Sequence, residues 1–289
     1  MKELKKEMTV MLALDLTEMD AVLLRYVSFL TQVLPIKHVY LAHNIKHYKI
    51  NDLYEDLLDD DISIDNIVEQ SMQNSVDTHY TGDSPYSILL TSDDYTEGIL
   101  SHLSSEYAID LLISGNKNAL QGTGAMNQKL VRMLKADLML VPEETPFTLN
   151  RILVPTDFSA ASAQCFKLSE AWSQTVKAKI QGLHVYNIPS SFYPYINTEK
   201  AIDKTEKHLK EKVDWFVKKY KIDAQVPFTY VYRENASIAD SIEEFADKAK
   251  CDCLVVTAKG SSAIKSLFIG SVTNELLSNH RKMPLLVIK

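Results

Sequence analysis

The sequence has little cysteine, glycine and tryptophan, and it lacks a long apolar run. Its three cysteines, Cys165, Cys251 and Cys253, are too few and odd in number, which excludes a disulfide framework and favours a reducing compartment. No apolar stretch approaches the ~18 residues that a membrane-spanning helix needs. The charged N-terminus MKELKKEM is not followed by the apolar core of a signal peptide. These absences predict a cytoplasmic protein that does not enter a membrane.

An excess of positive charge is also missing. The chain has 31 lysines and arginines against 38 carboxylates, a formal net charge of −7. Nucleic acid is therefore disfavoured as a partner, because binding it requires clustered basic side chains. Cys251 and Cys253 have the spacing of two metal ligands, but no second Cys or His pair completes a site. We interpret them as small apolar residues that enter a buried strand, and we predict no metal site.

The chain carries one pattern twice. MLALDLTEM near the N-terminus corresponds to RILVPTDFS in the second half, and LLISGNKNALQGTGA corresponds to CLVVTAKGSSAIKSLFIGSV. A nearly constant offset maps Asp15 to Asp157, His43 to His184 and Asp110 to Asp252. A solenoid unit spans roughly 20–50 residues, so a repeat of this greater length predicts two complete domains.

Within each copy, short apolar runs alternate with segments of helical periodicity. The second copy has predicted strands at 152–154, 180–186, 228–232, 253–256 and 285–288, and the first at 9–14, 39–42, 88–90, 111–114 and 138–141. Strands joined by helices predict an α/β fold with a parallel sheet in each copy. A polar, proline-bounded segment at 142–146 marks the boundary, so the predicted domains are 1–144 and 150–289.

Two loops of the second copy follow strands, and the carboxyl ends of strands are where open α/β sheets bind ligands. The first loop is Pro155-Thr156-Asp157-Phe158-Ser159. Asp157 can accept hydrogen bonds from a sugar hydroxyl or a base amine; a helix cap or a solvated loop residue is the alternative. Ser159 is predicted to cap the next helix.

The second loop runs from Thr257 through Gly260 to Gly270, Ser271 and Val272. Glycine lets a backbone approach a phosphate closely, and the start of the next helix offers N–H donors and a positive dipole end. Five of the chain's eight glycines fall in the two copies of this loop. This concentration predicts a phosphate-binding backbone, with ordinary turn glycines as the alternative.

The second half resembles a universal stress protein domain, and the first half resembles it more weakly. The matching segments are PTDFS, the LHV at Leu183, the Gly260-x9-Gly270-Ser271-Val272 loop and the MPLLV that follows it. The resemblance implies a five-stranded open parallel sheet in each of two tandem domains, flanked by helices and Rossmann-like, of the adenine nucleotide alpha hydrolase-like type. It also implies that edge strands of such domains pair, so that the tandem chain is a pseudo-dimer; a homodimer of whole chains is left open.

The resemblance also implies roles for residues of the second half. It assigns contacts with ATP or another adenine nucleotide, with or without Mg, to Pro155, Thr156, Asp157, Val185, Thr257, Gly260, Gly270, Ser271 and Val272. The family motif has glycine where Thr257 stands, and a β-branched side chain there restricts the backbone near the phosphates. The first copy's loop is shorter, so we expect the first domain, which is a degenerate copy, not to bind ATP in the family manner.

Two functions remain open from the sequence. The first is a stress-response module in which the C-terminal domain binds an adenine nucleotide and its occupancy regulates contacts with an unknown protein partner. The second is a nucleotide-free tandem scaffold, and a more distant alternative is an electron-transfer-flavoprotein-like domain. The sequence has no GxxxxGK[ST], GxSxG or HExxH motif. We therefore expect no enzyme beyond slow ATP hydrolysis, with no catalytic residues assigned.

Overall fold

The computed structural model describes residues 7–45, 63–117, 123–259, 269–279 and 282–289. The chain divides into two compact units, Met1–Phe147 together with Lys289, and Thr148–Ile288. We call them unit 1 and unit 2. Among the described residues, every helix is too short or too polar to cross a bilayer.

Unit 1 alternates strands and helices. Its elements are β1 (Met8–Leu14), α1 (Glu18–Val33), β2 (Ile36–Ile45), α2 (Ile64–His79), β3 (Tyr86–Ser92), α3 (Thr96–Glu106), β4 (Leu111–Asn116), α4 (Thr123–Met133) and β5 (Asp137–Pro142). The strands form a parallel sheet in the order β3-β2-β1-β4-β5.

Unit 2 repeats this plan. Its elements are β6 (Arg151–Pro155), α5 (Ala160–Val176), β7 (Lys179–Tyr186), a 3₁₀ turn (Ser190–Phe192), α6 (Thr198–Tyr220), β8 (Phe228–Tyr232), α7 (Ile238–Lys248), β9 (Cys253–Thr257), α8 (Ser271–Asn279) and β10 (Leu285–Ile288). Its sheet is parallel in the order β10-β9-β6-β7-β8. The predicted α/β architecture of two tandem five-stranded parallel sheets is confirmed.

The central strands are apolar throughout because helices cover both faces of each sheet. In unit 2, Leu153, Leu254 and Leu285 are fully buried, and Cys253 is buried at the start of β9. On one face, Phe166 of α5 and Phe216 of α6 pack edge to face with ring centroids 5.8 Å apart. This packing holds α5, which follows the carboxyl end of β6, against α6.

The duplication extends to backbone details. The residue after each repeated aspartate has a left-handed conformation, with φ of 60° at Leu16 and 62° at Phe158. At the opposite ends of the sheets, Asp110 accepts the N–H of Thr9 at 3.0 Å. Asp252 accepts the N–H of Arg151 at 2.9 Å in the same way. The sequence offset therefore maps structurally equivalent positions.

The units divide after Phe147, which lies in the gap between the predicted domains 1–144 and 150–289. Pro142 is the last residue of β5 and pairs with Asn116, rather than beginning the linker. Between β2 and β3 of unit 1, α2 is a regular helix that begins after Ser63; residues 46–62 lie outside the described residues.

Candidate functional site

Three segments of unit 2 meet around the carboxyl end of β6. This strand lies between β7 and β9. The crossover from β6 leads through α5 to β7, and the crossover from β9 leads through α8 to β10 on the other side. The strand order therefore reverses direction between β6 and β9, which is the place where open α/β sheets form a ligand crevice.

The predicted aspartate loop lies at this crevice. Pro155 ends β6, and Thr156 is buried beneath the loop. Asp157 is exposed, and its Oδ1 accepts the backbone N–H of Ser159 at 3.0 Å. Ser159 caps α5, as predicted, because its side chain accepts the N–H of Ser162. Asp157 thus shapes the turn and presents a carboxylate at the crevice.

A buried aromatic contact supports the loop from below. Phe158, in its left-handed conformation, is 4% exposed. Its ring stacks on His184 of β7, with centroids 4.5 Å apart, and packs edge to face on Phe216 at 5.6 Å. Because a left-handed phenylalanine is sterically unfavourable, this packing must hold the turn that carries Asp157.

His184 has a structural hydrogen bond. Its Nδ1 donates to the carbonyl oxygen of Thr156 at 2.7 Å, which fixes the tautomer because a carbonyl can only accept. Burial is the main cause of a lowered pKa for His184, and the nearby ammonium group of Lys212 lowers it further. A neutral imidazole therefore holds Thr156, whose own N–H donates to Leu183 at 2.8 Å.

Val185 lies where β7 extends past β6. The last paired residues of these two strands are Pro155 and Leu183, so Val185 is two residues beyond the pairing. In a parallel ladder, successive residues alternate between the two neighbouring strands. Since Leu183 bonds toward β6 and Tyr186 bonds toward β8 through Arg233, the backbone groups of Val185 point toward the crevice.

Hydrogen bonds connect the two described ends of the glycine loop, at 257–259 and at 269–273. The hydroxyl group of Thr273 in α8 donates to the carbonyl of Thr257 at 2.7 Å, and the N–H of Gly270 donates to Ala258 at 3.0 Å. The Thr257 hydroxyl group turns along the chain and donates to Lys259 at 2.6 Å. Ser271 and Val272 begin α8, so the N-terminus of this helix faces the loop. Gly260 and the rest of the loop to residue 268 lie outside the described residues.

Sequence comparison decides the family. The model of the universal stress protein family matches residues 148–289. Residues 148–289 therefore form a universal stress protein domain. A universal stress protein of Methanocaldococcus jannaschii is 26% identical over 142 residues, which are 48% of this chain and 82% of that protein.

Solved structures extend the fold to the whole chain. A functionally unknown protein of Pseudomonas aeruginosa PAO1 has a TM-score of 0.66 at 12% identity, over 97% of this chain and 92% of that one. A universal stress protein of Archaeoglobus fulgidus has a TM-score of 0.61 at 13% identity, over 98% of this chain and 96% of that one. At this identity the likeness establishes the fold of both units and nothing of their ligands.

Unit 1 has a different crevice. Asp15, the counterpart of Asp157, accepts a hydrogen bond from the Thr17 hydroxyl group at 2.7 Å on Oδ1, and its Oδ2 forms an ion pair with Lys117. Both carboxylate oxygens are therefore engaged by groups of unit 1 itself. His43 repeats the structural role of His184, since its Nδ1 donates to Leu14 at 2.9 Å.

The two units exchange side-chain size at two equivalent positions, which the charged repeat anchors did not reveal. The offset that maps Asp15 to Asp157 also maps Gly115 to Thr257 and Met19 to Ala161. In unit 1, Met19 lies so close to Gly115 that an added Cβ would meet its Cγ at 2.6 Å. The glycine that the family motif places at Thr257 is thus present in unit 1, where a methionine covers it.

Asp20 is a buried carboxyl group under the Asp15 loop of unit 1. It is 4% exposed, and its oxygens accept the N–H groups of Asp15 at 3.0 Å and Leu16 at 2.8 Å. Burial is the main cause that raises its pKa from 3.8 to about 6, and the charge of Asp15 contributes. The folded protein therefore binds a proton at Asp20 under conditions where the unfolded chain has released it.

We predict that unit 1 becomes less stable as the pH rises from about 4 to about 6, because the stabilisation that this proton provides is lost. The folded pKa lies above the unfolded one, so the stabilisation is complete below pH 4 and is lost above pH 6. At ~1.4 kcal/mol per pKa unit the effect is about 3 kcal/mol at most. Urea unfolding followed by circular dichroism should show this slope in the wild type and not in Asp20→Asn. The exposed control Asp94→Asn should keep the wild-type slope, and parallel curves for all three proteins would contradict the prediction.

Proposed function

We propose that unit 2 binds an adenine nucleotide, ATP or AMP, and that the protein is a cytoplasmic stress-response module whose nucleotide occupancy regulates its contacts with a protein partner. One observation carries this proposal. Three groups lie at the carboxyl end of β6, where the strand order reverses: the carboxylate of Asp157, the backbone of Val185 in β7 and the N-terminus of α8.

Each of the three groups suits one part of a nucleotide. Asp157, exposed at the crevice, suits the hydroxyl groups of a ribose as a charged acceptor. The backbone of Val185 has the donor and acceptor that an adenine edge requires. The start of α8 at Ser271 and Val272 suits phosphate, because the first N–H groups of a helix lack intrahelical partners and lie at its positive end.

We also propose that the protein is not a dedicated enzyme and that any ATP hydrolysis is slow. His184 packs against Phe158 beneath the Asp157 loop, and its Nδ1 donates to the carbonyl of Thr156, so this nitrogen cannot accept a proton from a ligand in the crevice. Among the described residues, no group of three or more His, Cys, Asp or Glu side chains could hold a metal ion. Mg²⁺, if it takes part, would therefore depend mainly on oxygens of the nucleotide.

Thr257 favours a second candidate function, a nucleotide-free tandem scaffold. Its β-branched side chain stands where the family motif has glycine, and its hydroxyl group is bonded to Lys259. Such a side chain limits how the backbone can turn toward a phosphate. The scaffold requires no ligand in unit 2.

Isothermal titration of the full-length protein with ATP distinguishes the two functions. Saturable binding of one equivalent, lost in Gly270→Val, is the expected result. Gly270 begins the turn into α8, since its carbonyl accepts the N–H of Asn274 at 2.8 Å, and a branched side chain there would obstruct a phosphate at the helix start. An absence of heat at millimolar ATP in the wild type would remove the nucleotide function and leave the scaffold.

We predict that Thr257→Gly tightens ATP binding about tenfold, equivalent to ~1.4 kcal/mol. Glycine removes the branched side chain and frees the backbone. The new glycine would not be covered as Gly115 is in unit 1, because unit 2 has Ala161 where unit 1 has Met19. Thr257→Ser is the matched control, because it keeps the hydroxyl group and removes only the methyl group. Equal affinity in the wild type and in Thr257→Gly would show that this side chain does not limit binding.

A further inference from the structure

An exposed apolar segment follows β7 in unit 2, shortly after Val185. Phe192 is 52% exposed, Tyr195 is 85% exposed and Ile196 is 39% exposed. These are three of the nine large hydrophobic side chains that are exposed among the described residues, and they fall within five positions. Clustered exposed aromatic residues mark interaction surfaces, whereas single ones do not.

The segment has a defined conformation. The N–H of Phe192 donates to Pro189 at 3.0 Å, and those of Tyr195 and Ile196 donate to Phe192 at 2.9 and 3.1 Å. The Tyr193 hydroxyl group is hydrogen-bonded to that of Tyr232 in β8 at 2.8 Å. The exposed side chains are thus presented by an ordered backbone, which reduces the entropy lost when a partner binds.

A groove of about 660 Å³ lies between this segment and the first turns of α6. Its apolar lining comes from Ile188, Pro189, Ile196 and Ala201. Ile188 is almost fully buried, so it forms a floor rather than an exposed rim. The volume lies within the range of ~300–1,000 Å³ found for ligand sites.

The polar wall of the groove is basic. Lys200, Lys204 and His208 line it at successive turns of α6, and no carboxylate is among the lining residues. Glu211 lies 4.0 Å from His208, so the positive charge of the wall comes from Lys200 and Lys204. The Tyr186 hydroxyl group donates to Glu206 at 3.2 Å. Burial, together with the charges of Glu206 and Asp203, raises the pKa of Tyr186 to about 12.

We infer that this groove binds an acidic, amphipathic peptide segment of a protein partner. The apolar floor would bury the apolar side chains of the peptide, and Lys200 and Lys204 would pair with its carboxylates. Phe192 and Tyr195, which are exposed on the same segment but do not line the groove, would extend the apolar contact. A positive groove on a chain of net charge −7 selects for that charge pattern. The inference does not depend on nucleotide binding, because the groove is complete without a ligand at Asp157.

Selection from a random 12-residue peptide library displayed on phage, with the full-length protein as bait, tests the inference. We expect enriched sequences that combine Asp or Glu with Leu, Ile or Phe. A fluorescein-labelled copy of one such peptide should bind with micromolar affinity by fluorescence anisotropy. Enrichment of basic sequences, or of none, would overturn the inference.

Two double variants locate the binding. Lys200→Glu with Lys204→Glu should weaken the peptide at least tenfold, and Phe192→Ala with Tyr195→Ala should weaken it similarly. Lys218→Glu with Lys219→Glu, on the same helix outside the groove, is the matched control and should leave the affinity unchanged. Equal loss in the control and the groove variants would show a general charge effect and overturn the assigned site.

Discussion

Phe216→Ala is expected to destabilise unit 2 by about 3–5 kcal/mol, the cost of truncating a fully buried phenylalanine. Phe216 has no exposed surface, and its ring packs edge to face on Phe158, Phe166 and Tyr220 at 5.6, 5.8 and 5.3 Å. Alanine would leave a cavity that three rigid rings cannot fill. The loss includes the edge-to-face contacts as well as the buried area.

Intrinsic fluorescence can measure this loss in unit 2 alone. Both tryptophans of the chain, Trp172 and Trp215, belong to unit 2, so urea unfolding followed by fluorescence avoids the assumption that two units unfold as one. Phe192→Ala is the matched control, because the same change at a half-exposed ring should cost less than ~0.5 kcal/mol. Similar midpoints for the two variants would contradict the packing described for Phe216.

The same cluster links the core to the candidate site. Phe158 adopts a left-handed conformation next to Asp157, and the contact with Phe216 helps to offset its strain. A Phe216→Ala protein that remains folded in dilute urea is therefore expected to hold the Asp157 turn less firmly. Core packing and ligand geometry are coupled at this residue.

The sequence predicted the bounds of apolar and aromatic strands well, and those of strands with polar residues near their ends less well. The predicted bounds of β8 and β10 match the structure, because their apolar or aromatic runs end at polar residues. β2 was predicted at 39–42 but spans Ile36–Ile45. Polar residues at both of its ends interrupt the pattern, and His38 is accommodated by a hydrogen bond to Ser87 of β3 at 3.0 Å. Such cross-strand partners depend on register, which the local pattern does not contain.

The candidate site shows the same limit. Which loops lie at the crevice could be predicted, since parallel strands bring their carboxyl ends to one edge. The pairing of Lys117 with Asp15 could not, because it depends on where the Lys117 side chain lies relative to the end of β1. The exchange of Met19 and Gly115 for Ala161 and Thr257 was accessible: applying the offset to small and large residues, as well as to charged ones, would have found it.

Asp157→Ala is expected to weaken ATP binding by about 10–100-fold. A hydrogen bond to a charged group contributes ~1.5–3 kcal/mol, and each ~1.4 kcal/mol is a factor of ten in affinity. Asp157 also accepts the N–H of Ser159 through Oδ1, so alanine removes the turn contact together with the ligand contact. Isothermal titration of the variant and the wild type measures the sum of these effects.

Two variants separate those effects. Asp157→Asn keeps an oxygen for the Ser159 N–H and removes the charge. If the carboxylate contacts the ligand, the ATP affinity of this variant should lie between those of Asp157→Ala and the wild type. Asp15→Ala is the matched control in unit 1, where Lys117 and Thr17 already engage the carboxylate, and it should leave the ATP affinity unchanged. If Asp157→Asn binds ATP as tightly as the wild type, the charge has no role toward the ligand and Asp157 serves only to shape its turn. If Asp15→Ala instead abolishes binding, the nucleotide is held by unit 1, and the assignment to unit 2 is wrong.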